Sequence, residues 1–456
     1  MTQAPQHGTP HLTAAGAAVG RVRFLVLAWL CSLAAILYLD RVCISAALPA
    51  IQRDLGLSNT EVSYVLMAFT LAYGLFEIPT GHWGDILGAR RVLTRISLWW
   101  SAFTIITGAC SSLWMLIPVR FLFGAGEAGA FPNAARVVSR WFPGHERGRV
   151  QGILLAASQT GGAIAPFLAA LLIQAVGWRA TFAVFGAIGF FWALGFYLWF
   201  RDEPLEHPAV TPAEALYISE GSPTLPPAAP IPWSQVLRNP GILLLSAIMI
   251  CASFNSYIYF SWFPKYLQEA RRVAQTEAGL MSSVVLSFAA IGTFTGGWLV
   301  DALNITVSIG RRRAFGAICF LIAMLLLILA LRSTDSWQAV LLTAGSCFAT
   351  QATQSLWWSC SIGISGQHVG ALFGLMNSMG VFGAIASQYL AGALADWLGT
   401  QGFTGRDQWD PIFRINCGVL ATAAVLWSVV VLRKIESETP FPGTSSLQPR
   451  NPKTRP

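Results

Sequence analysis

Long apolar runs broken by short polar segments recur from one end of the chain to the other. An α-helix rises 1.5 Å per residue, so about 20 mostly apolar residues carry it across ~30 Å of hydrocarbon. The runs predict spans at approximately 24–48, 62–82, 92–110, 113–139, 149–175 and 178–200, then at 240–263, 279–303, 313–332, 337–361, 367–395 and 411–433. Residues 201–238 separate the two sets; they are rich in proline and charge, contain the string SPTLPPAAPIP, and end in a short surface segment around Trp233–Leu237. The expected organisation is a tail at 1–20, a six-helix half at 21–200, a linker at 201–238, a second six-helix half at 239–435 and a tail at 436–456. The first 20 residues lack an apolar segment ahead of a cleavage site and do not read as a secretory leader. The predicted fold class is all-α, with twelve transmembrane helices in two pseudo-symmetric halves.

The symmetry is legible in the residues themselves. Gly81-x-x-x-Asp85 closes the second span and is followed by Gly88, Arg90 and Arg91; Gly297-x-x-x-Asp301 closes the eighth and is followed by Arg311–Arg313, an offset of 216. A second echo pairs Ala170-x-x-x-Gln174-x-x-Gly177 with Gly392-x-x-x-Asp396-x-x-Gly399, an offset of 222. One such match carries little weight. Two at similar offsets, each ending a matching span, imply internal duplication, and duplicated halves around a midplane site are a recurrent transporter plan.

Composition agrees with a membrane protein. Hydrophobic residues make up 54% of the chain and charged residues 11%, against about 25% charged in a soluble protein. Mean hydropathy is +0.56. The net charge of +8 comes almost wholly from Arg, with Lys only at 265, 434 and 453. These cations sit in short loops between apolar runs, so they read as topogenic, and no nucleic-acid partner is expected. Arg90, Arg91, Arg140, Arg147, Arg149 and Arg311–Arg313 would share one side, which places both termini and the linker in the cytoplasm of an inner-membrane protein. The eight Cys form no C-x-x-C pair and the six His are scattered, so no metal site, cofactor or disulfide framework is expected. A monomer in the lipid bilayer is expected.

Ionisable residues inside the spans are the candidate chemistry, because a charge at a helix centre costs about 2.5–3.5 kcal/mol on insertion scales. Asp40 and Arg41 are adjacent in YLDRVCISAALP; Arg120 and Glu127 stand in RFLFGAGEAGAFP. Seven residues apart, the latter two share a helix face about 10.5 Å apart. If helix one ends near residue 48 and helix four begins near 113, Asp40, Arg41 and Arg120 lie at one depth. An Asp40–Arg120 pair is then expected, leaving Arg41 for an anion; the plainer alternative is a charge pair that only holds the two helices together. The small residues Gly124, Gly126, Ala128, Gly129 and Ala130, like Gly292 and Gly296, read as helix-packing positions. Glu77 faces the pathway or pairs with a loop Arg. The loop GHWGDILGARR offers a tight turn and an Asp85 able to pair with Arg90 or Arg91 or to cap a helix end.

That loop, between the second and third spans, resembles the signature loop of the major facilitator superfamily, and the six-plus-six layout agrees over nearly the whole chain. The resemblance implies a conformational latch at Gly81, Asp85, Gly88, Arg90 and Arg91. The strings YLDRVCISAALPAIQRDLGLS, RFLFGAGEAGAFPNA and GWRATF are similar to those of the anion:cation symporter family. By that resemblance Asp40 and Glu127 handle protons, Arg41 and Arg120 handle a carboxylate and the charge network, and Tyr73, Gln159, Trp357 and Asn377 line the cavity, with Trp358 an alternative to Trp357. Neither the linker nor the 300–313 loop aligns.

The expected partners are therefore protons and a small organic anion. Tyr73, Gln159, Asn255, Gln351, Gln354, Ser355 and Asn377 would leave unsatisfied groups around an apolar ligand, at about 1–3 kcal/mol each. A polyhydroxylated acid (aldonate, aldarate or hexuronate) would satisfy them, although interhelical hydrogen bonding is the plainer role of such amides. The competing classes are a proton antiporter or facilitator for another metabolite or drug, and a membrane enzyme or sensor. No nucleophile cluster or soluble output domain supports the last, so the chain is expected not to be an enzyme.

Overall fold

The computed structural model describes residues 20–219, 233–365 and 369–433. Among these, helices account for every regular element. The first half contains α1 (Val22–Leu55), α2 (Asn59–Leu87), α3 (Ala89–Ala109), α4 (Leu113–Glu127), α5 (Ala130–Trp141) and α6 (Arg147–Trp199). The linker holds α7 (Pro212–Ser219) and α8 (Trp233–Arg238). The second half contains α9 (Pro240–Ser261), α10 (Phe263–Glu269), α11 (Gln275–Ala302), α12 (Ile309–Arg332), α13 (Ser336–Ala352), α14 (Gln354–Ser365), α15 (Val369–Ser378), α16 (Gly380–Thr400) and α17 (Arg406–Val429).

Twelve crossings result, because α4 with α5, α9 with α10, α13 with α14 and α15 with α16 each make one broken span, while α6 makes two. Its limbs meet at Gly177, whose φ of 80° and ψ of 164° reverse the chain without a loop, a conformation that suits glycine alone. Helix starts follow local chemistry: Ser58 and Glu61 form a reciprocal capping box at α2, and Asn239 caps α9 just before Pro240. Helix one runs on to Leu55 with Pro49 inside it, seven residues beyond the end expected from the apolar run. Large side chains such as Trp114, Phe191, Leu198 and Trp298 point outward from the bundle, where hydrocarbon can cover them.

Both described chain ends and the described parts of the linker, 201–219 and 233–238, lie at one face of the bundle, called the linker face below; the opposite is the far face. The halves meet chiefly through α2 against α16 and α6 against α11, with α10 against α1. At the far face Asp396 of α16 grips the start of α2, Lys265 of α10 reaches Gln52 of α1, and Thr276 of α11 reaches Gln174 of α6. At mid-depth Thr70 donates to Gln388 Oε1 at 3.1 Å. Towards the linker face the principal packing partners of α5 are all in the first half, and those of α14 and α15 all in the second. Among the described residues the bonds that join the halves thus gather at the far face and at mid-depth, and the linker-face helices pack chiefly within their own halves.

The start of the linker is docked on the first half. Glu214 is fully buried and accepts from Arg23 N at 3.1 Å, while the Arg23 guanidinium bridges to Glu146 at 3.3 Å. His207 sits edge-on to Trp141 and Trp199, and its burial there pushes its pKa below the usual imidazole value.

Candidate functional site

A cavity of about 110 Å³ lies between the halves at mid-depth. Its cationic walls are Arg41 of α1 and Arg120 of α4; aromatic walls come from Tyr38, Phe69, Tyr257 and Phe260, and neutral polar groups from Ser261 and Gln388. Close helix approach shapes it. A Cβ on Gly124 would meet the backbone oxygen of Phe69 at 2.5 Å, so α4 lies directly against α2, and Gly161, Gly292 and Gly296 similarly face backbone of α1, α13 and α13. The small residues serve packing, as their types imply.

Arg41 donates from Nε to Glu127 Oε1 at 2.8 Å and makes a second, shorter bond to the same oxygen. Tyr38, Phe69 and Tyr73 present their rings to the guanidinium at 5.0, 5.3 and 4.6 Å. Tyr73 therefore touches the site through Arg41, although it is not on the cavity wall. Glu77, one turn further along α2, is half-buried.

The expected Asp40–Arg120 pair is not formed. Arg120 lays its guanidinium on Phe123 and Phe69 at 4.2 and 5.4 Å, with Nε and Nη1 unpartnered among the described residues. Asp40 is 1% exposed and neither carboxyl oxygen has a hydrogen-bond partner there. Nor is Arg41 free. The cause is the true end of helix one. Arg41 stands 14 residues before Leu55, and Glu127 stands 14 residues after Leu113, so both lie about 21 Å below their helix ends at the far face. Asp40 stands about 100° round the helix from Arg41 and so takes no part in that pair.

Glu127 also ends α4: the chain breaks at Ala128–Gly129 before α5 resumes, and Asn133 secures the break by donating to Gly129 O at 2.7 Å and Thr80 O at 3.2 Å. The acid is thus placed at a helix discontinuity that the string GAGEAGAFP foreshadows.

The remaining predicted residues are dispersed. Trp357 is buried and donates from Nε1 to Leu245 O at 2.9 Å, which makes it a tie between α14 and α9 rather than a cavity wall; Trp358 is 39% exposed. Gln159 on α6 and Asn377 on α15 are half-buried and lie off the cavity wall. Asn255 is occupied by Thr350 and by Asn416, which donates to it at 2.8 Å, and Ser355 donates to Thr293 O at 3.4 Å. Interhelical bonding has claimed these two. Gln388 was missed: it is the lone amide of the apolar stretch GVFGAIASQYLAGALA, and it links Thr70 to Ser261 across the halves. Tyr38, three residues before Arg41, could have been found by helical spacing.

At the linker face Gly88 turns the chain at φ 83°. Arg90 donates from its backbone N–H to Asp202 Oδ1 at 2.9 Å and from its guanidinium to Tyr197 O, at the end of α6. Gly81 lies within α2 and Arg91 is exposed at the start of α3; the side chain of Asp85 lies outside the described residues.

Comparison with known proteins agrees with this architecture. The Major Facilitator Superfamily model matches residues 30–369. The chain is 33% identical over 372 residues to the probable sulfoacetate transporter SauU of Cupriavidus necator, covering 80% of this chain and 86% of that one. It is 30% identical over 397 residues to the D-galactonate transporter of Escherichia coli, covering 83% and 91%. Among solved structures, a bacterial homolog of the human lysosomal transporter Spinster, inward-facing and occupied, superposes with a TM-score of 0.74 at 19% identity, covering 91% of this chain and 97% of that one. The chain is a multi-pass membrane transporter, not an enzyme, and belongs to the Major Facilitator Superfamily.

Proposed function

We propose that this protein imports an organic anion together with at least one proton, by rocking its two halves about the central cavity. The observation that carries this reading is Arg41, which lines the cavity and is paired with the buried Glu127 behind it, while the neighbouring Asp40 is buried with no hydrogen-bond partner among the described residues. An incoming carboxylate and Glu127 compete for one guanidinium. If Glu127 takes a proton, Arg41 is released to hold the carboxylate with two parallel hydrogen bonds. Two carboxyls and two guanidiniums balance when all are ionised, so a bound monoanion leaves the site one charge short, and a proton restores neutrality. Anion and proton therefore favour each other in a site that excludes water. The positive-inside distribution of Arg supports a cytoplasmic linker face in an inner membrane, which makes the described state inward-facing. Release of Arg90 from the α6 end during rocking is the part we assign to the 81–91 loop.

For the substrate we favour a sugar acid (aldonate, aldarate or hexuronate), held by Arg41 and Arg120 with hydroxyls met by Tyr38, Tyr257, Ser261 and Gln388. The galactonate-carrying relative supports it. A second reading, a compact anion on the scale of sulfoacetate, is favoured by the cavity of about 110 Å³ and by the similarity to SauU. Competition decides. Galactonate, glucarate or galacturonate displacing a labelled acid from proteoliposomes supports the first; displacement by sulfoacetate alone supports the second; displacement by benzoate in preference to both overturns the assignment.

A further inference from the structure

The echo between Ala170-x-x-x-Gln174 and Gly392-x-x-x-Asp396 acquires a physical role where the halves meet at the far face. Asp396, near the end of α16, accepts four hydrogen bonds from the first turn of α2. Oδ1 takes Asn59 N at 3.1 Å and Nδ2 at 2.8 Å, and Oδ2 takes Thr60 N and Oγ1, both at 2.7 Å. Two of these donors are amide groups that a helix cannot satisfy internally, and the carboxylate sits where the helix dipole is positive. In the pseudo-symmetric position Gln174 of α6 accepts from Thr276 Oγ1 in the first turn of α11.

The donors repeat as well as the acceptors. Asn59-Thr60-Glu61 and Gln275-Thr276-Glu277 stand 216 residues apart, the offset that relates Gly81 to Gly297. One turn before each acceptor, the small residue of the echo allows the approach: a Cβ on Gly392 would meet Asn59 O at 2.5 Å, and Ala170 faces Gly279, the counterpart of Ser63, where a Cβ would stand 2.7 Å away. Gln52 links the ring further, accepting from Lys265 and donating to Asn59 Oδ1 at 3.2 Å.

We propose that Asp396 and Gln174 are equivalent positioning residues that hold the halves together at the far face and set the population of the state described here, Asp396 being the stronger by virtue of its charge. The inference rests on the reading that the halves rock. For the far face to open, Asp396 must leave all four donors, and the first turn of α2 must rely on its own Ser58–Glu61 capping box.

The test uses labelling without substrate. In a full-length chain whose native cysteines are replaced, Leu66→Cys places a thiol on the cavity wall, and a membrane-impermeant maleimide is applied to intact cells. Asp396→Ala should raise the external labelling rate about tenfold, the population change that ~1.4 kcal/mol produces. Gln174→Ala should raise it less, and Asp396→Glu should fall back towards the parent rate. Should Asp396→Ala fail to fold, Thr60→Val removes one donor and should raise labelling in the same direction. Parent-level labelling in folded Asp396→Ala and Thr60→Val would overturn the proposal. A thiol never labelled from outside in any variant would instead overturn the rocking reading on which it rests. Substrate identity and proton coupling do not enter the measurement.

Discussion

Glu127→Gln isolates the proton from the anion. Glutamine keeps an oxygen that can accept from Arg41 but removes the negative charge, imitating the protonated acid. The Nε–Oε1 separation is 2.8 Å; with charge centres ~4 Å apart and an effective dielectric near 20, the lost attraction is about 4 kcal/mol before solvation offsets it. Arg41 is then available to a carboxylate at every pH, and binding or exchange should persist. Accumulation should not. Each pH unit supplies about 1.36 kcal/mol per proton, so a gradient of ~2 units supports roughly 100-fold accumulation of a monoanion moving with one proton and about onefold when no proton moves. Proteoliposomes with an acidic exterior and no membrane potential, loaded with labelled acid, measure this ratio directly; counterflow in the same vesicles measures exchange. A glutamine variant that concentrates substrate as the parent does would refute the assignment of Glu127 to proton handling.

Other outcomes follow from the same geometry. Asp40→Asn should also abolish accumulation; undiminished accumulation would remove Asp40 from the coupling path. Arg41→Lys keeps the charge but not the two-pronged donor, and should weaken anion affinity about tenfold in a binding assay. Trp357→Phe deletes the bond to Leu245 O and should cost about 1 kcal/mol of stability with KM unchanged; a raised KM at unchanged stability would return Trp357 to the substrate site.

The architecture was legible because apolar run length is a direct consequence of bilayer thickness, and because duplication left paired motifs at matching span ends. The four intramembrane charges were legible for a similar reason: hydrocarbon makes each one costly. Their pairing was not. It depended on the end of helix one, and the polar residues Gln52, Arg53 and Asp54 hid the fact that the helix continues past Pro49 to Leu55. With the end placed seven residues early, Arg41 came level with Arg120 instead of Glu127. The role of each amide was not legible either, because a buried amide looks the same in sequence whether it meets a ligand or, as Asn255 does with Asn416, a neighbouring helix. Gln174 and Asp396 stood out as an echo, but their partners on α2 and α11 are set by how the halves meet, which no local pattern encodes.

The central claim is that one anion and at least one proton cross together through the Arg41–Glu127 site. Proteoliposomes containing an internal pH-sensitive dye, with no imposed proton gradient, test it most directly. Adding the transported acid outside should acidify the lumen in step with labelled uptake, and Glu127→Gln should abolish the acidification. Uptake by the parent protein without any lumenal pH change, whether driven by sodium or by the anion gradient alone, would contradict the account.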